Sequence, residues 1–274
     1  MAIFNYNNDA IFYQIDGDGN KPHLLLLNGI MMSTKSWDSF VQPLTDHFTL
    51  LRVDLYDQGQ STKKTDYYTQ SIQVDLIKAL LDELKIKKLH ITGISYGGSI
   101  ALQFATKHQE MIDKMIVLNA VAKTSKWLKA IGDGWNEVAK TRNGLAYYHI
   151  TIPFIYSPMF YNFNHEWMEN RKKLLIPIFS NEVFLDAMIR LTVSAETHDV
   201  TSSLSNIKTK TLIVSSDEDY LTPPFEQTYL KNALPNAQMI TFHECGHASM
   251  YEKPQLFVST IIGFLSEKVW DYNL

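Results

Sequence analysis

Cysteine is nearly absent. Cys245 is alone among 274 residues, which excludes an intrachain disulfide framework and points to a reducing compartment. Long apolar runs are missing too, none approaching the ~20 residues that a membrane-spanning helix needs. The N-terminal stretch MAIFNYNNDAIFYQIDGDG carries asparagine and aspartate where a secretory signal would place its apolar segment. Neither charge dominates: 25 Lys and Arg against 29 Asp and Glu give a net charge of -4, with no basic patch suited to nucleic acid. Repeats and low-complexity tracts are also lacking. With 45% apolar and 20% charged residues, the chain reads as a globular protein with ample length for a full core. Its expected setting is the cytoplasm and its expected partner a small molecule, with monomer and homodimer equally compatible.

Hydrophobic periodicity organises the chain. Short, continuously apolar runs at 23–29 (HLLLLNG), 48–55 (FTLLRVDL), 89–95 (LHITGIS), 114–121 (KMIVLNAV) and 210–217 (KTLIVSSD) predict strands buried on both faces. The alternating run 237–244 predicts another. Helical spacing recurs at 33–47, at 72–85 with Ile72, Leu76, Ile77, Leu80, Leu81 and Leu84 on one side, and at 97–111, 225–234 and 254–270. Strands alternating with helices imply parallel pairing through crossover connections, hence an α/β sheet covered on both faces. Between 122 and 206 the pattern changes: helical segments are expected to break at Pro153, Pro158 and Pro177, aromatics are dense and strand signals weak. This predicts a helical insertion, 122–206, in a core made of 1–121 and 207–274.

Two stretches carry chemistry. GISYG, residues 93–97, fits G-x-S-x-G at a strand-to-helix junction, where a sharp turn needs glycine two residues either side of Ser95. The hydroxyl would then stand at the amino end of the following helix, whose free N–H groups favour a developing oxyanion. FHECGHASM, residues 242–250, contains H-E-x-x-H, the pattern that puts two histidines and a general-base glutamate on a zinc-binding helix. A helix through His243 and His247 is disfavoured by Pro235 and Asn236 just upstream, by the strand-like alternation of AQMITFHE, and by Gly246 inside it. Glu252 or Glu267 could be named as a third ligand, with nothing to mark either. His243 then reads as a strand-end or surface residue, Cys245 as a small buried one, and His247 as the base of a serine nucleophile. Carboxylates in SSDEDYLTPP follow a sheet strand and emerge on the same edge as Ser95, and so does His247; the chain order is serine, acid, histidine.

On these motifs the sequence resembles the α/β-hydrolase family, in particular its small lidded esterases and lactonases such as the 3-oxoadipate enol-lactonases, over about 23–121 and 199–265. The resemblance implies an α/β-hydrolase fold: a mostly parallel eight-stranded sheet, helices on both faces and a helical cap inserted after the sixth strand. It implies Ser95 as nucleophile, Asp219 as acid and His247 as base, with Asp217 as the rival acid. Relatives that draw the acid from the preceding strand end find Asn119 there instead. The oxyanion hole would use the backbone N–H groups of Tyr96 and Ile30. Two departures stand out. Asn28-Gly29 replaces the usual H-G, and DLYDQGQS replaces D-x-R-G-x-G-x-S, with Asp57 and Gln58 read at the arginine and glycine positions and Asp54 and Asp57 expected to be structural. Met31, Met32, Trp127 and Trp135 are the expected pocket residues, though most cap aromatics are expected simply to hold the cap together. The expected chemistry is hydrolysis of a carboxylic ester or lactone with no metal and no cofactor. Alternatives on the same triad are carbon-carbon bond hydrolysis, thioester hydrolysis and perhydrolysis, and a further alternative is a ligand receptor with slow turnover.

Overall fold

A computed structural model describes residues 2–266. Its single eight-stranded sheet has the order β1-β2-β4-β3-β5-β6-β7-β8, formed by β1 (Ala2–Tyr6), β2 (Asp9–Asp16), β3 (His23–Leu27), β4 (Thr49–Val53), β5 (Leu89–Ile94), β6 (Ile112–Leu118), β7 (Lys210–Ser216) and β8 (Ala237–Phe242). β1 and β2 join antiparallel at one edge and every pairing from β4 through β8 is parallel. The edge hairpin was not legible in the apolar runs. Its signal is the turn Asn7-Asn8, whose φ values of 52° and 68° match the primed hairpin turn that asparagine tolerates.

The helices are α1 (Asp38–Thr45), α2 (Ser71–Glu83), α3 (Tyr96–His108), α4 (Lys126–Lys140), α5 (Gly144–Ile155), α6 (Pro158–Phe163), α7 (His165–Phe179), α8 (Glu182–Ser194), α9 (Pro224–Ala233), α10 (Ser249–Glu252) and α11 (Pro254–Leu265). The apolar strand runs are explained by burial on two faces. In β3, Leu25 and Leu27 pack with Leu76, Leu80 and Phe104 of α2 and α3, whereas Leu24 and Leu26 pack with Phe40 of α1 and Phe257 of α11. Among the described residues no helix is long and apolar enough to cross a membrane.

Helices α4 to α8 all lie between β6 and β7. Pro158 begins α6, as a residue without a free N–H should. Pro153 and Pro177, expected to break helices, instead sit inside the final turns of α5 and α7, where the chain leaves the helix two residues later. The expected extension of the last helix to about 270 lies partly outside the described residues. The two ends of the inserted segment meet: Lys123 and Asp199 form an antiparallel bridge, Thr124 N–H donates to the His198 carbonyl (2.9 Å), and Val200 N–H to that of Ala122 (2.9 Å).

Candidate active site

β5 runs into α3 through Ser95, whose φ of 53° and ψ of -116° are a strained conformation for a residue with a side chain. The flanking glycines are dictated by space. A Cβ at Gly93 would come within 2.4 Å of the Gly97 carbonyl oxygen, and one at Gly97 within 2.3 Å of that of Leu27. The turn is tied to the sheet by Ser95 N–H donating to the Leu118 carbonyl (2.9 Å).

His247 follows β8 in a loop and is buried, as is Asp219 after β7. His247 Nδ1–H donates to Asp219 Oδ2 at 2.7 Å. The other oxygen, Oδ1, accepts from Leu221 N–H (2.8 Å) and Thr222 N–H (2.9 Å), and Oδ2 also accepts from the Thr222 hydroxyl (2.7 Å). Asp217 faces elsewhere, its Oδ2 lying 3.0 Å from Nδ1 of His243, whose side chain is 79% exposed. Residues 243–247 are not helical, so the two histidines of HECGH do not share a helix face. Cys245 is fully buried, and burial pushes its thiol up to about 12. Asn119, at the alternative acid position, donates instead to the His247 carbonyl (3.0 Å) and the Ser216 hydroxyl (3.1 Å). Ser95 and His247 line one cavity, and among the described residues no hydrogen bond yet joins them; such contacts often tighten only with substrate bound.

Ile30 and Tyr96 line the same cavity. Tyr96 is the first residue of α3, so its N–H has no partner within the helix. The loop before Ile30 is pinned by the residue that departs from the family pattern. Asn28 Nδ2 donates to the Val53 carbonyl (2.8 Å) and to Gln58 Oε1 (3.0 Å), while Asn28 Oδ1 accepts from the Trp37 indole (2.6 Å). Gln58 Nε2 in turn donates to the Gly29 carbonyl (2.9 Å). Asn28, the departure from H-G, and Gln58 therefore form one hydrogen-bonded unit.

The placement of Asp57 and Gln58 needs correcting. Counted letter by letter, Tyr56 stands at the arginine position of D-x-R-G-x-G-x-S and Asp57 at the glycine after it. The φ of 67° at Asp57 is the left-handed conformation which that glycine position demands. Asp57 is buried and bound by Arg190 of α8 at 2.7 Å and by the Tyr68 hydroxyl at 2.8 Å, a structural tie between the inserted helices and the core. A second tie is Glu252. It accepts from Ser157 N–H (3.0 Å), the Ser157 hydroxyl (2.6 Å) and Gly246 N–H (3.1 Å), fastening the residue before His247 to the start of α6. The sequence marks Glu252 only through its place after H-E-x-x-H, as a third metal ligand.

The cavity has a volume of about 230 Å³ and is mostly apolar. Of the expected pocket residues, Met31, Met32 and Trp135 line this cavity and Trp127 does not. On α4, Leu128, Ile131, Gly132 and Trp135, spaced three and four apart, line the cavity together with Lys129. Trp127 is one position off that stripe; it is half exposed and its indole donates to the Tyr220 carbonyl at 2.6 Å. Many of the other aromatics pack on one another, as in Tyr147–Phe179 (5.1 Å between centroids) and Phe160–Trp167 (5.4 Å).

A sequence model described as the alpha/beta hydrolase fold matches residues 22–254. The chain belongs to the α/β-hydrolase family. It is 60% identical, over 100% of both chains and with a TM-score of 0.97, to MGS-M2, an alpha/beta hydrolase enzyme from a Medee basin deep-sea metagenome library. Its fold is also that of the enol-lactonase from Burkholderia xenovorans LB400, with a TM-score of 0.86 at 22% identity, covering 97% of this chain and 100% of that one. Among curated relatives, it is 27% identical over 247 residues to the putative carbamate hydrolase RutD of Pseudomonas syringae pv. syringae (strain B728a), covering 89% of this chain and 94% of that relative.

The neck of the inserted segment in this hydrolase contains a titratable group. His198 is buried; its Nε2 lies 2.9 Å from the Val121 carbonyl and its Nδ1 3.0 Å from the Gln103 amide nitrogen. Neutral imidazole satisfies both contacts, donating from Nε2 and accepting at Nδ1. Burial lowers its pKa below the ordinary 6.5. The unfolded chain therefore takes up its proton first as pH falls, so this contribution to stability is complete above pH 6.5 and declines as pH drops from there toward the folded value. Thermal unfolding from about pH 8 to about pH 5 should show that decline, and His198→Gln should flatten part of it. An unchanged slope in the variant would show that His198 is not the group responsible.

Proposed function

We propose that this hydrolase cleaves a carboxylic ester or lactone of a small to medium acyl substrate, with Ser95 as nucleophile, His247 as general base and Asp219 as the orienting acid. The observation that carries the reading is the 2.7 Å His247–Asp219 hydrogen bond on the cavity that Ser95 also lines. Ser95 Oγ attacks the carbonyl carbon as its proton passes to His247 Nε2, and Asp219 holds the Nδ1–H tautomer and stabilises the imidazolium. The carbonyl oxygen becomes an oxyanion within reach of the Ile30 and Tyr96 amides, each donor contributing ~2.7–4 kcal/mol to such a transition state. Collapse expels the alcohol, which takes the proton from His247. Water then hydrolyses the acyl-enzyme by the same steps in reverse.

Residues 122–206 serve as a cap over the cavity, and Met31, Met32, Leu128 and Trp135 shape an apolar acyl pocket. The substrate is a small molecule met in a reducing, cytoplasmic compartment. The enol-lactonase neighbour supports lactones, and relatives named as carbamate hydrolases support a second reading, carbamate cleavage, which uses the same attack on a carbonyl. The test is a panel of short and medium esters, lactones and carbamates. Turnover in one of these classes, lost in Ser95→Ala, is the expected result. A panel without turnover, from protein whose Ser95 still reacts with a fluorophosphonate, would overturn the hydrolytic reading in favour of a ligand receptor.

A further inference from the structure

The cavity wall holds a cation with no carboxylate partner among the described residues. Arg171, on α7, lines both the cavity and the open groove outside it, together with Tyr251 and Met250. Elsewhere in the chain arginines meet carboxylates: Arg52 pairs with Asp16 and Asp38, Arg142 with Asp186 and Arg190 with Asp57. Among the described residues no carboxylate pairs with Arg171. Its guanidinium lies over the rings of Tyr251 (4.6 Å to the centroid) and Trp167 (5.7 Å), and its buried Nε has no hydrogen-bond partner. The polar groups acting on it are the Tyr156 and Tyr251 hydroxyls, and burial pushes Tyr156 further up from its ordinary value, keeping it neutral. Glu196, an acid on the same cavity, is engaged by Lys129 at 3.2 Å. A second donor stands unused: Trp135 is 6% exposed, lines the cavity, and its indole N–H has no partner.

Desolvating a cation and an N–H without acceptors costs free energy that a ligand bearing acceptors would recover. A guanidinium stacked on aromatic rings, met by neutral tyrosine hydroxyls and by no carboxylate among the described residues, can offer its fork to a carboxylate in two parallel hydrogen bonds. We infer that the substrate is an ester or lactone that carries a carboxylate apart from the scissile carbonyl, bound by Arg171, with Trp135 donating to a further oxygen of the same molecule. This rests on the hydrolytic reading for the chemistry of the scissile bond, and it narrows the substrate to an apolar chain with an anionic end.

The experiment compares the 4-nitrophenyl monoester of glutaric acid with 4-nitrophenyl valerate, which has the same chain length and no charge. The wild type should favour the anionic ester in kcat/KM by at least ~10-fold, the low end for a hydrogen bond to a charged group. Arg171→Met should collapse that ratio, mainly through KM, and Arg171→Lys should restore part of it. Lys172→Met removes the same charge from the next position, which does not line the cavity, and should leave the ratio intact. Equal rates on both esters in the wild type, or the same loss of ratio in Lys172→Met as in Arg171→Met, would overturn the inference while leaving ester hydrolysis standing. Glutarate binding to Ser95→Ala, measured by calorimetry, separates the two readings without turnover. Binding that depends on Arg171 in a protein inactive on every ester would sink the hydrolytic reading and keep the anion site.

Discussion

Replacing Ser95 by alanine is expected to reduce turnover of the best substrate by ~10^6-fold, the scale seen when the nucleophile of a serine triad is removed. The remaining rate should come from the oxyanion donors and binding alone, because the backbone amides of Ile30 and Tyr96 are untouched. The fold should survive. Ser95 already adopts its strained φ of 53° with a Cβ in place, and its hydroxyl makes no cap hydrogen bond to α3. Thermal midpoints of the two proteins should therefore agree closely. Intact mass after fluorophosphonate treatment reads the same chemistry without a substrate: one adduct on the wild type and none on Ser95→Ala. An adduct that persists in the variant would place the nucleophile elsewhere, and no adduct on either would mean that Ser95 is not activated.

The second large effect concerns the proposed acid. Asp219→Asn should lower kcat by ~10^4-fold with little change in KM, as when the orienting carboxylate of a triad becomes an amide. The reason lies in the donors around it. Asp219 accepts from two backbone N–H groups, from the Thr222 hydroxyl and from His247 Nδ1–H, so every approach to the carboxylate is by a donor. An asparagine there must turn its amide hydrogens toward one of them. If they face His247, the imidazole takes the tautomer that leaves Nε2 protonated and unable to accept the serine proton. Asp217→Asn provides the contrast. Its partner His243 is exposed, and removal of a surface pair should leave kcat within ~3-fold. Comparable losses in the two variants would mean that the acid is not assigned to a single position.

Glu252 and the Asn28–Gln58 pair show why some of the site was not legible in the sequence. Gln58 stands at a position that the family pattern leaves free, and Asn28 at one where the pattern has histidine. Only their 3.0 Å contact across 30 residues shows that each supplies what the other needs. Glu252 bonds to Ser157 across 95 residues, and Asp57 to Arg190 across 133. No periodicity spans such distances, and a buried carboxylate looks the same in a sequence as an exposed one. Trp127 failed for a smaller reason. The aromatic richness of 122–206 was legible, but a helix rotates about 100° per residue, and a shift of one position decides whether an indole faces the cavity or solvent.

The sequence by itself determined the alternation of strand and helix, the sharp turn at Ser95 and the order of serine, acid and histidine along one sheet edge. These follow from local rules: apolar runs, helical spacing, and glycines where a Cβ would strike backbone. Tertiary structure alone decided which of two neighbouring aspartates meets His247, which face of α4 lines the cavity, how the inserted helices are tied to the core, and that Arg171 reaches the cavity with no counter-ion among the described residues. Those outcomes depend on loop register and long-range packing, where a displacement of one residue exchanges a buried partner for solvent.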